Sequence, residues 1–123
     1  MLATIALALS GSFYLALALA AFARPSTLLA GFGIAASGCD ARNEIRAVYG
    51  GFPLAVALLV GWCLFGGEYA VGILVALTTA TLGIALGRTI SGVIDRRIGR
   101  LPAIFVGVEL VVAALLATGG YAF

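Results

Sequence analysis

Residues 101–123 read LPAIFVGVELVVAALLATGGYAF, and this stretch is apolar and long enough to cross a bilayer. It contains a single charged side chain, Glu109. A charged side chain within a membrane span is costly, so it faces protein or water and usually has a partner. The stretch therefore predicts a transmembrane helix that brings Glu109 against a polar group of the same protein.

The composition of the whole chain is typical of a membrane protein. Its 123 residues are 63% hydrophobic and 10% charged, and the mean hydropathy is +1.21. A soluble domain averages about 45–50% apolar and about 25% charged residues. A soluble fold of this length has too little interior to bury so much apolar surface. We therefore expect a single domain, residues 1–123, that uses the bilayer as its solvent.

Four apolar runs predict the membrane-spanning helices, which cover about residues 2–23, 43–65, 69–90 and 102–121. The first helix ends at Arg24-Pro25, because proline cannot continue the hydrogen-bond ladder and disfavours helical geometry in the residue before it. Residues 26–39 are uncharged up to Cys39, rich in glycine and too short to span, so they predict an interfacial or re-entrant segment. The predicted fold class is all-α, an integral membrane bundle of four transmembrane helices.

The basic residues predict how the bundle is oriented. All seven are arginines, and they fall in the connections after the first and third helices: Arg24, Arg42, Arg46, Arg88, Arg96, Arg97 and Arg100. Cytoplasmic loops carry an excess of basic residues, so we expect the arginine-rich loops in the cytoplasm and the N and C termini outside. Trp62, Tyr69 and Tyr121 gather at the opposite end, as expected for residues at a membrane interface.

Two pairs of glycines predict close packing between helices. Gly50 and Gly51 lie near the start of the second helix, just before Pro53, and Gly83 and Gly87 stand four residues apart in the third. Glycine lets helix backbones approach closely in a membrane. We therefore expect these four residues at helix contacts, with a kink at Pro53.

The partner of Glu109 is predicted among residues at the arginine-bearing end. Glu109 lies about 12 Å from the start of the last helix, at a rise of about 1.5 Å per residue, within reach of long side chains from that end. The predicted cluster comprises Glu109, Arg88, Arg46 and Tyr49, with Glu44, Ser91 and Asp95 around its mouth. Two interpretations stay open. The cluster is either an ion pair that fixes helix register, or a site that holds a lipid headgroup, a small anion or a proton.

Neither catalysis nor metal binding is predicted. The chain has no histidine, and its two cysteines, Cys39 and Cys63, fall near opposite membrane faces. There is no CxxC motif, no cluster of metal ligands and no arrangement of a nucleophile with a base. We expect a protein that is not an enzyme, with no cofactor. Nucleic acid is an unsuitable partner, since the arginines form no basic face on a soluble domain.

Three segments carry a resemblance to a known family. NEIRAVYGGFPLA at 43–55, LGRTISGVID at 86–95 and VEL at 108–110 resemble a family of small bacterial four-helix inner-membrane proteins, known only as a domain of unknown function. All seven cluster residues, and Gly50, Gly51 and Gly87, fall at the characteristic positions of that family. The resemblance implies the four-helix architecture and a multi-pass location in the bacterial inner membrane, and it implies no reaction.

Two classes of function fit these patterns. In the first, the protein is a non-catalytic accessory or structural subunit that packs against itself or a larger membrane complex, with a lipid or small anion at the arginine-bearing end. In the second, it is a homo-oligomeric small channel or transporter that uses Glu109 as a proton or substrate site. The outer halves of the helices carry few polar residues, which favours the first class.

Overall fold

The computed structural model describes all 123 residues and is entirely helical, with no strand. Four helices are long and apolar enough to cross a membrane, which confirms the predicted all-α transmembrane fold. They are α1 (Leu2–Ala23), α2 (Cys39–Leu64), α3 (Ala70–Ile94) and α4 (Arg100–Gly119). The chain ends in one further 3₁₀ turn, Gly120–Ala122.

Two helix ends lie four residues from the predicted bounds, and the other ends lie within two. The second helix begins at Cys39 rather than near residue 43, immediately after Gly38, whose φ of 96° is not helical. The third helix continues past residue 90 to Ile94. It ends there because Arg96 takes a left-handed conformation, with φ 49°, and nothing before it interrupts the ladder. Polar side chains in the last turns of α3 therefore did not mark its end.

The connection between α1 and α2 folds across one end of the bundle. It contains a short helix, Pro25–Leu28, and a 3₁₀ turn, Ala30–Phe32, and is otherwise irregular up to Gly38. Leu29 is buried, and the ring of Phe32 lies 5.4 Å from the ring of Phe105 in α4. We call residues 24–38 the linker. It packs against α4 as well as joining α1 to α2.

A wide π-helical turn, Arg46–Gly51, interrupts the regular geometry of α2. Gly50 is buried here, and a Cβ atom on it would lie 3.1 Å from the ring of Phe22 in α1. Pro53 follows and cannot donate a backbone hydrogen bond to the preceding turn. The close approach to α1 and the missing donor together account for the altered turn at this point.

The helices are packed as antiparallel neighbours. The start of α2 contacts the end of α1 at Gly50 and Phe22, and α3 packs chiefly against α4. Away from the arginine-bearing end, Leu7, Leu74 and Leu116 are almost completely buried and belong to one apolar core. Val60 and Cys63 of α2 belong to the same core, so hydrophobic side chains from all four helices fill the end of the bundle that carries the termini.

Gly119→Ala tests the contact between α4 and α1. A Cβ atom on Gly119 would overlap the side chain of Leu7, which is almost completely buried, so Leu7 or the helix must shift. We expect a loss of about 1–3 kcal/mol in the free energy of unfolding, the usual cost of overpacking. Gly107→Ala in the same helix is the control, because nothing lies within 4 Å of its Cβ position. Denaturant titration in detergent, followed by circular dichroism, measures both, and equal stabilities would contradict this packing.

Candidate functional site

An ion pair between α3 and α4 is the central feature of the site. The Nε atom of Arg88 donates a hydrogen bond of 2.8 Å to Oε1 of Glu109. The Glu109 side chain is 8% exposed and that of Arg88 is 26% exposed. It is the one salt bridge in the protein. A charge as buried as that of Glu109 requires such a partner, since an isolated carboxylate in a medium of low polarity is costly.

Two aromatic rings hold the guanidinium group of Arg88. Its Cζ atom lies 5.6 Å from the ring centre of Phe32 in the linker and 5.5 Å from that of Phe105 in α4. A cation within about 6 Å of a ring centre is attracted by the π electrons. The position of Arg88 therefore depends on the linker as well as on Glu109.

The second carboxylate oxygen of Glu109 is left without a partner. Oε2 is buried and accepts no hydrogen bond from the protein. Nearly all buried polar atoms in folded proteins have a partner, and a buried acceptor left unpaired costs about 1–3 kcal/mol. The site therefore has an unused acceptor beside its ion pair.

Arg88 and Glu109 line a cavity of about 330 Å³. Its walls come from all four long helices and the linker, and most of them are apolar, including Leu17, Phe52 and Ile84. Pockets for small molecules usually measure about 300–1,000 Å³ and combine apolar walls with a few polar groups. This cavity has both properties and lies at the lower end of that range.

The hydroxyl groups in the cavity differ in the hydrogen bonds that they can still form. Thr81 donates to the carbonyl of Leu77 at 2.8 Å, and its oxygen lies 2.6 Å from the hydroxyl of Tyr14. Because the single Thr81 proton is already used, the Tyr14 hydroxyl must donate to Thr81. The Tyr14 oxygen can then only accept a further bond, whereas the Tyr49 hydroxyl has no hydrogen bond in the structure.

The structure brings three of the predicted cluster residues together, namely Glu109, Arg88 and Tyr49. It does not bring Arg46 to Glu109: Arg46 is exposed, forms no ion pair and does not line the cavity. In regular α geometry, Arg46 and Tyr49 would lie on the same face of the helix. The π turn that begins at Arg46 holds more residues per turn, so side chains three positions apart no longer align.

The residues predicted around the mouth lie elsewhere. Glu44 is exposed on α2 and does not line the cavity. Ser91 and Asp95 are exposed and line a separate groove of about 400 Å³, where α3 turns into α4. Arg88 is the one residue that lines both the groove and the cavity.

The predicted cluster lacks several cavity residues that contact the polar groups or one another, namely Tyr14, Thr81, Phe32 and Phe105. Tyr14 carried a usable signal, because a tyrosine inside an apolar span generally finds a hydrogen-bond partner when buried. The other three gave none. Thr81 is one of several threonines in α3, and the rings of Phe32 and Phe105 meet only after the linker folds back.

The glycines predicted to pack against helices divide into two groups. Gly50 packs against Phe22, and Gly51, half-buried beside it, has only the carbonyl of Arg46 near its Cβ position, at 3.9 Å. Gly83 and Gly87 are exposed, with nothing within 4 Å of a Cβ atom. Helix packing at Gly83 and Gly87 thus remains a prediction about contacts with another chain.

A double-mutant cycle measures the ion pair. Arg88→Met leaves the Glu109 charge buried and unpaired, so we expect it to lower the free energy of unfolding by about 3–5 kcal/mol. Glu109→Leu should cost less, because Arg88 is partly exposed and can extend outward. The double variant should recover most of the loss, since an apolar pair can replace a buried ion pair.

Arg46→Met is the control for this cycle, because Arg46 is exposed and unpaired. It should change the stability by no more than about 0.5 kcal/mol, as is usual for surface substitutions. Denaturant titration of all four variants gives the coupling energy. Additive losses at Arg88 and Glu109 would contradict the pairing.

Comparison with known proteins identifies a family. A family model described as a domain of unknown function (DUF4345) matches residues 2–119, nearly the whole chain. Neither a search of curated proteins nor a search of solved structures returns a match. The family match confirms the resemblance drawn from the segments around Tyr49, Arg88 and Glu109. The chain therefore belongs to the DUF4345 family, whose members share a domain of unknown function.

Proposed function

We propose that the protein is a non-catalytic membrane protein that holds one membrane-derived amphiphile in the cavity between its helices. The observation that supports this proposal is the position of the ion pair, since Arg88 and Glu109 line a partly open cavity of about 330 Å³ between the helices. Three of the wall residues, Val48, Phe52 and Ile84, are about half exposed, so the cavity is open at the surface of the bundle. A membrane molecule can therefore reach the buried ion pair from the side.

The shape and lining of the cavity suit a molecule with one apolar chain. The apolar walls, such as Leu17, Phe52 and Ile84, accept a hydrocarbon segment, while Arg88 and Glu109 offer hydrogen bonds to a polar end. A volume of about 330 Å³ is near the lower limit of small-molecule pockets. We therefore propose that a single chain, or one chain of a lipid, is bound rather than a whole two-chain phospholipid.

A binding role agrees better with the polar groups than a catalytic one. Glu109 is engaged by Arg88, the Thr81 hydroxyl bonds back to the carbonyl of Leu77, and the Tyr14 hydroxyl bonds to Thr81. A nucleophile needs a neighbouring base within hydrogen-bond reach, and these groups form no such pair. We accordingly propose that the protein binds its ligand without changing it.

The outer surface supports a role as an accessory or structural subunit. Gly72, Gly83 and Gly87 in α3 have nothing within 4 Å of their Cβ positions and are exposed on the bundle. Small residues at such positions let a helix of another chain approach closely. We propose that this surface packs against a second copy of the protein or against a larger membrane complex.

We further propose a location in the bacterial inner membrane, with the arginine-rich loops in the cytoplasm and both termini outside. In an antiparallel bundle, all seven arginines belong to the end that carries the linker and the turn from α3 to α4. The positive-inside rule assigns that end to the cytoplasm. Trp62, Tyr69 and Tyr121 are exposed at the other end, as expected at the outer interface.

The alternative, a homo-oligomeric channel or transporter that uses Glu109 as a proton or substrate site, has less support. Beyond the bond between Tyr14 and Thr81, the interior is filled by Leu7, Leu74 and Leu116. A polar solute could pass Glu109 only if this apolar core opened. A binding cavity closed at that end needs no such rearrangement.

Native mass spectrometry tests the binding proposal. The protein is released from lauryldimethylamine oxide micelles, whose headgroup carries no hydrogen-bond donor, and wild type is compared with Glu109→Gln. We expect a discrete bound mass on wild type and about tenfold lower occupancy on the variant, because hydrogen bonds to a charged group are worth about 1.5–3 kcal/mol. Glu44→Gln, at an exposed carboxylate, should keep the bound mass. A bare protein in all three samples would contradict the proposal.

Labelling of cysteines tests the proposed orientation. Cys39 is exposed at the arginine-bearing end, and Cys63 is buried. In a bacterial host, a membrane-impermeant maleimide should label Cys39 in inside-out vesicles and leave it unlabelled in spheroplasts. Glu68→Cys, combined with Cys39→Ser, should show the reverse pattern, since residue 68 lies in the turn at the other end. Labelling of Cys39 in spheroplasts would contradict the proposed orientation and indicate the opposite one.

A further inference from the structure

We infer that the ligand of the cavity is an uncharged amphiphile with a hydroxyl or N–H donor at its polar end. This inference rests on the proposed function. An anion, such as a free phosphate or an anionic headgroup, is a different ligand class for the same cavity. The two classes differ in the charge and the hydrogen bonds that they require, and the residues around Glu109 distinguish them.

The charge balance of the cavity disfavours an anion. Arg88 is the one cation that lines it, and Arg88 already pairs with Glu109. The other six arginines, including Arg46, line no part of the cavity. An anion would therefore enter a site with no net positive charge and lie close to a carboxylate. Burying a charge without compensation is costly in a membrane, whereas an uncharged ligand avoids this cost.

The hydrogen-bonding capacity of the cavity favours a donor on the ligand. Oε2 of Glu109 is buried and unpaired, and the Tyr14 oxygen can only accept once its proton is given to Thr81. Arg88 and the Tyr49 hydroxyl can donate to a ligand with acceptors alone, such as an ether or an ester, but that ligand leaves the carboxylate oxygen unpaired. A hydroxyl or amide donor satisfies it. The free N–H groups of Arg88 can at the same time donate to the oxygen of that head, because Arg88 bonds to Glu109 through Nε only.

The apolar residues of the lining indicate that the ligand also carries a hydrocarbon portion. Leu17, Leu28, Phe52 and Ile84 form apolar walls around the polar groups. A molecule that places its donor against Glu109 must therefore carry hydrocarbon next to it. A small polar alcohol or a free sugar would leave these walls uncovered, so a chain with one polar end is the matching chemistry.

A matched series of three decyl compounds tests the inference. Wild-type protein, labelled with ¹⁵N, is titrated in dodecylphosphocholine micelles, whose headgroup offers no donor. The probes are 1-decanol, decyl methyl ether and decyl sulfate at equal mole fractions. The signals followed are the Nε–Hε group of Arg88 and the backbone amides of Tyr49 and Thr81. We expect 1-decanol to bind about tenfold or more tightly than decyl methyl ether, since only the alcohol supplies a donor to Glu109. Decyl sulfate should bind no more tightly than the ether.

The possible outcomes separate this inference from the proposed function. If decyl methyl ether binds as tightly as 1-decanol, or if decyl sulfate binds most tightly, the cavity holds an amphiphile but the ligand class is wrong. If none of the three probes shifts the cavity signals of wild type, the proposed function fails, and this inference fails with it.

Cavity-filling variants test whether 1-decanol binds inside the cavity. Leu17 lines the cavity, so Leu17→Trp should abolish the response to 1-decanol while the Nε–Hε signal of Arg88 persists. Val48→Trp serves the same purpose on α2 if the first variant does not fold. Leu15→Trp is the control, because Leu15 is exposed on the outside of α1 and should leave the response unchanged. An undiminished response in a folded Leu17→Trp or Val48→Trp protein would place the alcohol outside the cavity and overturn the inference.

Discussion

The hydrogen-bonded ion pair between Arg88 and Glu109 is the interaction on which the arginine-bearing half of the bundle depends. A lone carboxylate at that depth would be prohibitively costly, but the pair is neutral as a unit. It joins α3 to α4, and the guanidinium group also contacts the rings of Phe32 and Phe105, which pack against each other beside it. A single arginine thereby connects two helices and the linker. Continuum arguments and measurements on other proteins indicate that such pairs are often no more stabilising than apolar residues of equal size. A gain in stability alone therefore does not account for the pair, and the proposed binding role is one that would.

The two halves of the bundle differ in how they are packed. Around Leu7, Leu74 and Leu116, large apolar side chains fill the interior. Around Glu109, the helices leave a partly open cavity, and α2 departs from regular geometry at the turn Arg46–Gly51. π turns inside α-helices occur frequently at functional sites. Here Arg46, at the start of the turn, is exposed, whereas Tyr49 lines the cavity. The irregular backbone therefore directly shapes the candidate site.

Much of the fold is predictable from the sequence because the physical signals are local. Pro25 ends the first helix, apolar runs of sufficient length mark the spans, and the charge of Glu109 demands a partner. Arg88 and Arg46 were equal candidates for that partner on sequence alone. The choice depends on the π turn, which in turn depends on Gly50 meeting Phe22 of another helix. The cavity depends on contacts equally distant in sequence, such as the bond between Tyr14 and Thr81, so no local pattern predicts it.

The chain is a member of a family whose function is unknown. The central structural claim for this member is the ion pair between Arg88 and Glu109. The most direct measurement is the dipolar coupling between arginine Nε and glutamate carboxyl carbons, by solid-state NMR of the protein in lipid bilayers with ¹⁵N-arginine and ¹³C-glutamate. Of the three glutamates, only Glu109 forms a salt bridge, with Arg88 Nε at 2.8 Å from its oxygen. The account predicts one strongly coupled pair, assigned to Arg88 and Glu109. The absence of strong coupling, or a strong coupling of Glu109 to Arg46 instead, would contradict it.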